Sequence, residues 1–191
     1  MSNNQLIHTT ELSDLLLTNV NDEKIFNQLI LNGADINYQN TFGWSALFEA
    51  IVAKNNHSFN TIIKLGADIN LRDKDGRNAL YWAVYSNNIE AFKVLLSKSI
   101  NLNVHLKDNL HVLHYCVYKN KIDFIDILLL NGIDVNLCDH LDANALFYAT
   151  LYKHLDLVDY LMEKGASKHQ IDVFGNSAYS LAKEYDIKKL F

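Results

Sequence analysis

Residues 31–50 read LNGADINYQNTFGWSALFEA, and residues 64–83 read KLGADINLRDKDGRNALYWA. The second stretch is the first displaced by 33 positions, with GADIN, a later glycine and an Ala-Leu pair in register. The same spacing runs through the chain. Gly33, Gly66, Gly132 and Gly165 lie in one phase of it and Gly43, Gly76 and Gly175 in another, which accounts for all seven glycines. Scattered glycines would not fall into two phases, so the chain is built from a repeated unit, and the period sets the architecture.

Apolar columns keep the same phase. One holds Leu47, Leu80, Leu113 and Leu146 and ends at Tyr179; three residues on come Ala50, Ala83, Cys116, Ala149 and Ala182. Another holds Leu29, Ile62, Leu95, Leu128 and Leu161, each followed by a further aliphatic or Met side chain. Each unit therefore predicts two short amphipathic helices. In one unit these cover residues 45–54, burying Leu47, Ala50 and Ile51, and residues 57–65, burying Phe59, Ile62 and Ile63. Gly66 falls where a helix end turns left-handed. The recurring Asp35 and Asn37 types suit the turn that follows, and Asn40, Asp73, Asp139 and Asp172 mark the foot of a projecting turn. Opening helices are expected over about residues 11–18 and 22–32.

Composition limits the function classes. The 191 residues are 49% hydrophobic and 20% charged with a net charge of −5, which excludes disorder and a general polyanion binder. Cys116 and Cys138 make no disulfide framework. The opening MSNNQLIHTTELSD has neither a basic region nor a long apolar core, and no stretch is long enough to span a bilayer. The expectation is a cytoplasmic, intracellular protein, with a secreted effector left open.

These features resemble the ankyrin repeat. The family's first motif has counterparts in SALFEA at Ser45, NALYWA at Asn78, HVLHYC at His111 and NALFYA at Asn144, and its second in GADIN at Gly33 and Gly66. The resemblance implies an all-α ankyrin-repeat solenoid with β-turn fingers. Its extent is one domain over residues 1–191: a capping unit at 1–39, four repeats at 40–171 and a truncated closing unit at 172–191. The family's proline is replaced throughout by Ala46, Ala79, Val112, Ala145 and Ala178; its threonine becomes Ser45, Asn78, His111, Asn144 and Ser177. Asn109 and Ser99 stand where turn glycines belong, so the loops at 97–103 and 107–111 are expected to deviate most.

Candidate chemistry is sparse. His105, His111, His114, Cys116, Cys138 and His140 are metal-ligand types, but the repeat places them in core columns or separate layers, so no metal and no cofactor is expected. A thiol buried at Cys116 is inert, and no glycine is left over for a phosphate loop. The chain is expected not to be an enzyme. The helix face opposite the buried columns is more informative, because it reads Trp82 and Tyr85, Tyr115, Tyr118 and Lys119, then Tyr148 and Tyr152 in successive units. A solvated face has no need of large aromatics, whereas interfaces favour them. Tyr85, Tyr118 and Tyr152 are expected to meet a partner; Trp82, Tyr115 and Tyr148 either join them or pack between repeats. The turn tips add Phe42, Trp44, Arg77, Leu110, His140, Leu141 and Phe174. The outer positions Lys93 and Asp126 are expected to be neutral. The family resemblance implies a module that binds another protein through this concave face and the turn tips, with no nucleic acid or membrane partner, and a monomer when free. The alternative is a dedicated inhibitor or immunity-type protein that occludes an enzyme or toxin.

Overall fold

The computed structural model describes residues 3–104 and 110–187. The chain divides into two compact units, Met1–Asn101 and Leu102–Phe191. The first holds α1 (Asn3–Thr18), α2 (Glu23–Leu31), α3 (Ala46–Val52), α4 (Asn56–Lys64), α5 (Ala79–Tyr85) and α6 (Ile89–Ser97). The second holds α7 (Val112–Tyr118), α8 (Ile122–Leu130), α9 (Ala145–Leu151), α10 (Leu155–Glu163) and α11 (Ala178–Glu184). Within each unit, neighbouring helices pair as antiparallel hairpins and successive hairpins stack: α3 lies on α4 and α5, and α9 on α7, α10 and α11.

The columns read from the sequence make these contacts. Leu47, Leu80, Leu113 and Leu146 are fully buried, as are Ala50, Ala83, Cys116, Ala149 and Ala182. Each buried leucine contributes about 1.5–3 kcal/mol relative to exposure. Ile63, expected in the core, is only half-buried. Phe48, one residue after the leucine column, is completely buried instead.

Helix starts follow from side chains. Ser45, Asn78, Asn144 and Ser177 each accept a hydrogen bond from the backbone N–H three residues on, and His111 Nδ1 accepts from the Leu113 N–H. The residues that replaced the family's threonine are thus all N-caps, the position where short polar side chains satisfy otherwise unpaired donors. α1 begins at Asn3, well before the expected residue 11. No glycine or proline interrupts the upstream stretch, and a nucleated helix extends cheaply.

Turns explain the rest of the phase. Gly66 is left-handed (φ +77°), and Ser99 takes the same conformation (φ +56°) in the glycine column. Asp142 does so in the second glycine column (φ +59°), a departure the sequence reading passed over. Lys54, Asn87, Asn120, Lys153 and Asp186 form another left-handed column, φ 52–57°, between the two helices of each repeat or just after the last helix. The Asn column ties layers together: Asn37 Oδ1 accepts from the Asp68 N–H, Asn70 from Asn101 and Asn136 from Ser167. At the finger feet Asp73, Asp139 and Asp172 each accept two backbone N–H groups of their own turn. Of the two loops expected to deviate, residues 107–109 lie outside the described residues.

Candidate functional site

In the first unit the exposed helix face is an aromatic cluster. Tyr85 is 56% exposed, while Trp82, one turn earlier on α5, is only 9% exposed and forms the floor. The Trp82 ring meets Trp44 edge-on at 4.7 Å between centroids, Tyr81 at 5.0 Å and Tyr85 at 5.5 Å. Trp44 Nε1 donates to Glu49 at 2.9 Å. The Arg77 guanidinium lies 4.6 Å from the Trp82 ring centroid and is pinned by Asp73 at 2.7 Å and Asp75 at 2.5 Å. Arg77 thus offers a flat stacking surface whose charge is already matched. Phe42 stands exposed at the finger tip beside this cluster.

The second unit carries a patch of different character. Tyr118 and Tyr152 are 48% and 41% exposed and meet edge-on at 5.3 Å. Tyr152 stacks on Tyr148, whose hydroxyl donates to Asp139 at 2.5 Å. Partial burial and the neighbouring Tyr118 phenol push the Tyr152 phenol up, so it stays a protonated donor. The Lys119 ammonium lies 5.3 Å from the Tyr118 ring centroid, a cation–π distance. His154 lies beside Tyr152 at 5.9 Å. Among the tips, Phe174 and His140 are exposed and Leu110 and Leu141 half-buried. The Val173 N–H donates to Leu141 O, joining two fingers.

One expected contact residue is corrected. Tyr115 is 1% exposed and belongs to the packed interior; three residues before Tyr118 it is offset by about 60° round α7, enough to set it between the helices. Of the other two left open, Trp82 packs mostly inward and Tyr148 stays half-exposed. Asp126 is not a bystander on the outer side, because it accepts from the Tyr160 hydroxyl at 2.6 Å and from Lys164 at 3.1 Å. These two hydrogen bonds hold its carboxyl below the usual range. Four residues of these surfaces were missed: Tyr81, Lys153, His154 and Tyr185. Only Lys153 and His154 left a signal, as the two residues directly after Tyr152.

His114 is buried and His111 half-buried, while His140 is exposed. Burial and the adjacent His114 bring His111 down to about 4, and burial lowers His114 against the opposing pull of Asp139. Among the described residues no three His, Cys, Asp or Glu side chains converge to hold a metal; His105 lies outside them. Full burial pushes the Cys116 thiol up, and burial with nearby carboxylates does the same to Cys138. Neither is a poised nucleophile. No helix among the described residues is long and apolar enough to cross a membrane.

A stack of antiparallel helix hairpins with projecting turns, and no evident catalytic constellation among the described residues, defines a helical repeat scaffold. The family model for ankyrin repeats matches residues 15–108 and 100–172, and the chain belongs to the ankyrin-repeat family. Members of that family generally serve as protein–protein interaction modules and are typically non-catalytic. None of the curated proteins compared with the chain matches it.

Proposed function

We propose that this chain binds a partner protein through the aromatic faces of its inner helices. Each unit offers its own face: Tyr118, Tyr148, Tyr152 and Lys119 in the second, and Tyr85, Trp82, Trp44 and Arg77 in the first. Phe42, Leu110, His140, Leu141 and Phe174 supply contacts at the tips. One observation carries the reading: Tyr85, Tyr118 and Tyr152 remain between 41% and 56% exposed at the ends of the inner helices, whose leucine and small-residue columns are buried. Tyrosine gives rigid contact area at low entropic cost together with a polar tip, and residues of this kind carry most interface energy.

The test is capture on the immobilised full chain, identification by mass spectrometry, and titration of the purified captured protein. Tyr118→Ala with Tyr152→Ala should weaken that partner by about a hundredfold or more, since each anchor contributes about 2 kcal/mol. The melting temperature should hardly move, because neither ring fills the core. Unfolding of the double variant with undiminished affinity in its folded fraction would assign both tyrosines to inter-repeat packing and overturn the proposal.

A further inference from the structure

The second unit distributes its charge unevenly. Its outer helices α8 and α10 carry Asp123, Asp126, Asp156, Asp159 and Glu163, with the cations Lys121 and Lys164 only at their ends. On the inner side, cations stand directly beside the exposed tyrosines. Lys119 closes α7 beside Tyr118, and Lys153 and His154 follow α9 directly after Tyr152. The Lys153 ammonium is exposed, lies 4.7 Å from the Tyr185 ring centroid and reaches no carboxylate among the described residues. Asp139, the carboxylate nearest the tyrosines on the finger side, is taken up by the Tyr148 hydroxyl. Other carboxylates on this side of the unit are Asp142 in the finger turn and Glu184 and Asp186, where α11 ends.

We propose that this patch takes an acidic peptide segment of the partner protein, with Asp or Glu on both sides of an apolar residue. The inference rests on reading the inner helix face as the partner surface. An apolar side chain lies on the edge-to-face pair of Tyr118 and Tyr152. The flanking carboxylates meet Lys119 on one side and Lys153 with His154 on the other. Ammoniums held over aromatic rings keep their full charge while losing part of their water, which strengthens their pull on a carboxylate. Protein is favoured over nucleic acid by the same bookkeeping. Two lysines release few counterions, and a chain of net charge −5 repels a polyanion as a whole.

The experiment measures fluorescence anisotropy of short labelled peptides with the full chain. A Glu-Leu-Glu repeat is compared with its Lys-Leu-Lys and Ser-Leu-Ser analogues and with a single-stranded oligonucleotide. The acidic peptide should bind alone, and more weakly as salt shortens the screening length below about 10 Å. Lys119→Glu with Lys153→Glu should lower its affinity at least about tenfold with unchanged helicity and melting temperature. Lys24→Glu, on the outer helix α2, should not. Equal binding of the neutral peptide, lost in Tyr118→Ala with Tyr152→Ala but kept in the lysine pair, would overturn the acidic preference and leave the tyrosine face standing. Equal or tighter binding of the oligonucleotide, or no binding of the acidic peptide at its solubility limit, would overturn this inference. Acidic binding that survives both double variants would place the site elsewhere and sink both readings.

Discussion

Two left-handed glycines in different turns do different jobs. Gly43 and Gly66 both have a left-handed backbone, with φ +71° and +77°. A Cβ at Gly66 would meet nothing within 4 Å, whereas one at Gly43 would lie 2.8 Å from Asp73 Cα and Lys74 N. Fingers are joined at this point, since the Lys74 N–H donates to Phe42 O. Gly66→Ala is therefore expected to cost about 1–2 kcal/mol, the strain of a left-handed side chain. Gly43→Ala adds displacement of neighbouring backbone and should exceed about 2 kcal/mol. Urea unfolding of the two variants checks the order, and a Gly43 variant as stable as the Gly66 variant would contradict it. Ala83 poses the opposite problem, being a fully buried small residue between helices. Ala83→Leu should overpack α5 by about 1–3 kcal/mol, read as a lower denaturant midpoint with an unchanged slope.

The start of helix α7 depends on the protonation state of a histidine. His111 Nδ1 accepts the Leu113 N–H, which only a ring unprotonated at that nitrogen does. In the fold His111 is brought down to about 4 from an ordinary 6.5. Above 6.5 both folded and unfolded chains hold the ring neutral, and the cap contributes in full. Between 6.5 and 4 the unfolded chain takes up a proton that the folded chain refuses, so stability falls as the solution is acidified through that window. Asn78 and Asn144 cap the equivalent helices α5 and α9 without titrating. His111→Asn should accordingly flatten the dependence of melting temperature on pH across this window. An unchanged slope would show that His111 does not titrate as its burial implies.

At the scale of the molecule, a repeat array stabilises each layer through its neighbours, so protection should decline toward layers with one neighbour. Within the first unit α3 packs on α1, α4 and α5, while α1 and α2 begin the stack. Within the second unit α9 touches α7, α10 and α11, and α11 has no helix following it among the described residues. Hydrogen exchange should thus be slowest for the amides of Ala50 and Ala149 and fastest in α1 and α11. Equal protection of α11 and α9 would mean that the closing segment is a stronger cap than its contacts indicate.

The period, the two-helix unit and most of the core columns are properties of the sequence alone, because burial in a repeat recurs at fixed phase and a single chain displays it several times over. The capping role of Ser45, Asn78, His111, Asn144 and Ser177 was also within reach, since residues before an apolar periodic run have few other uses. The face was legible only in outline. Phase set Tyr118 toward a partner and left Tyr115 open between contact and packing; the structure buries Tyr115 and leaves Tyr118 half in water. Helical angle is read modulo the local packing, and packing depends on which neighbouring side chains fill the space first. Lys153, His154 and Tyr185 are brought to the second-unit patch by the left-handed turn at Lys153 and by the stacking of α11 on α9. The identity of the fold is thus written in repetition, while the chemistry of its surface is decided by contacts between residues far apart in the chain.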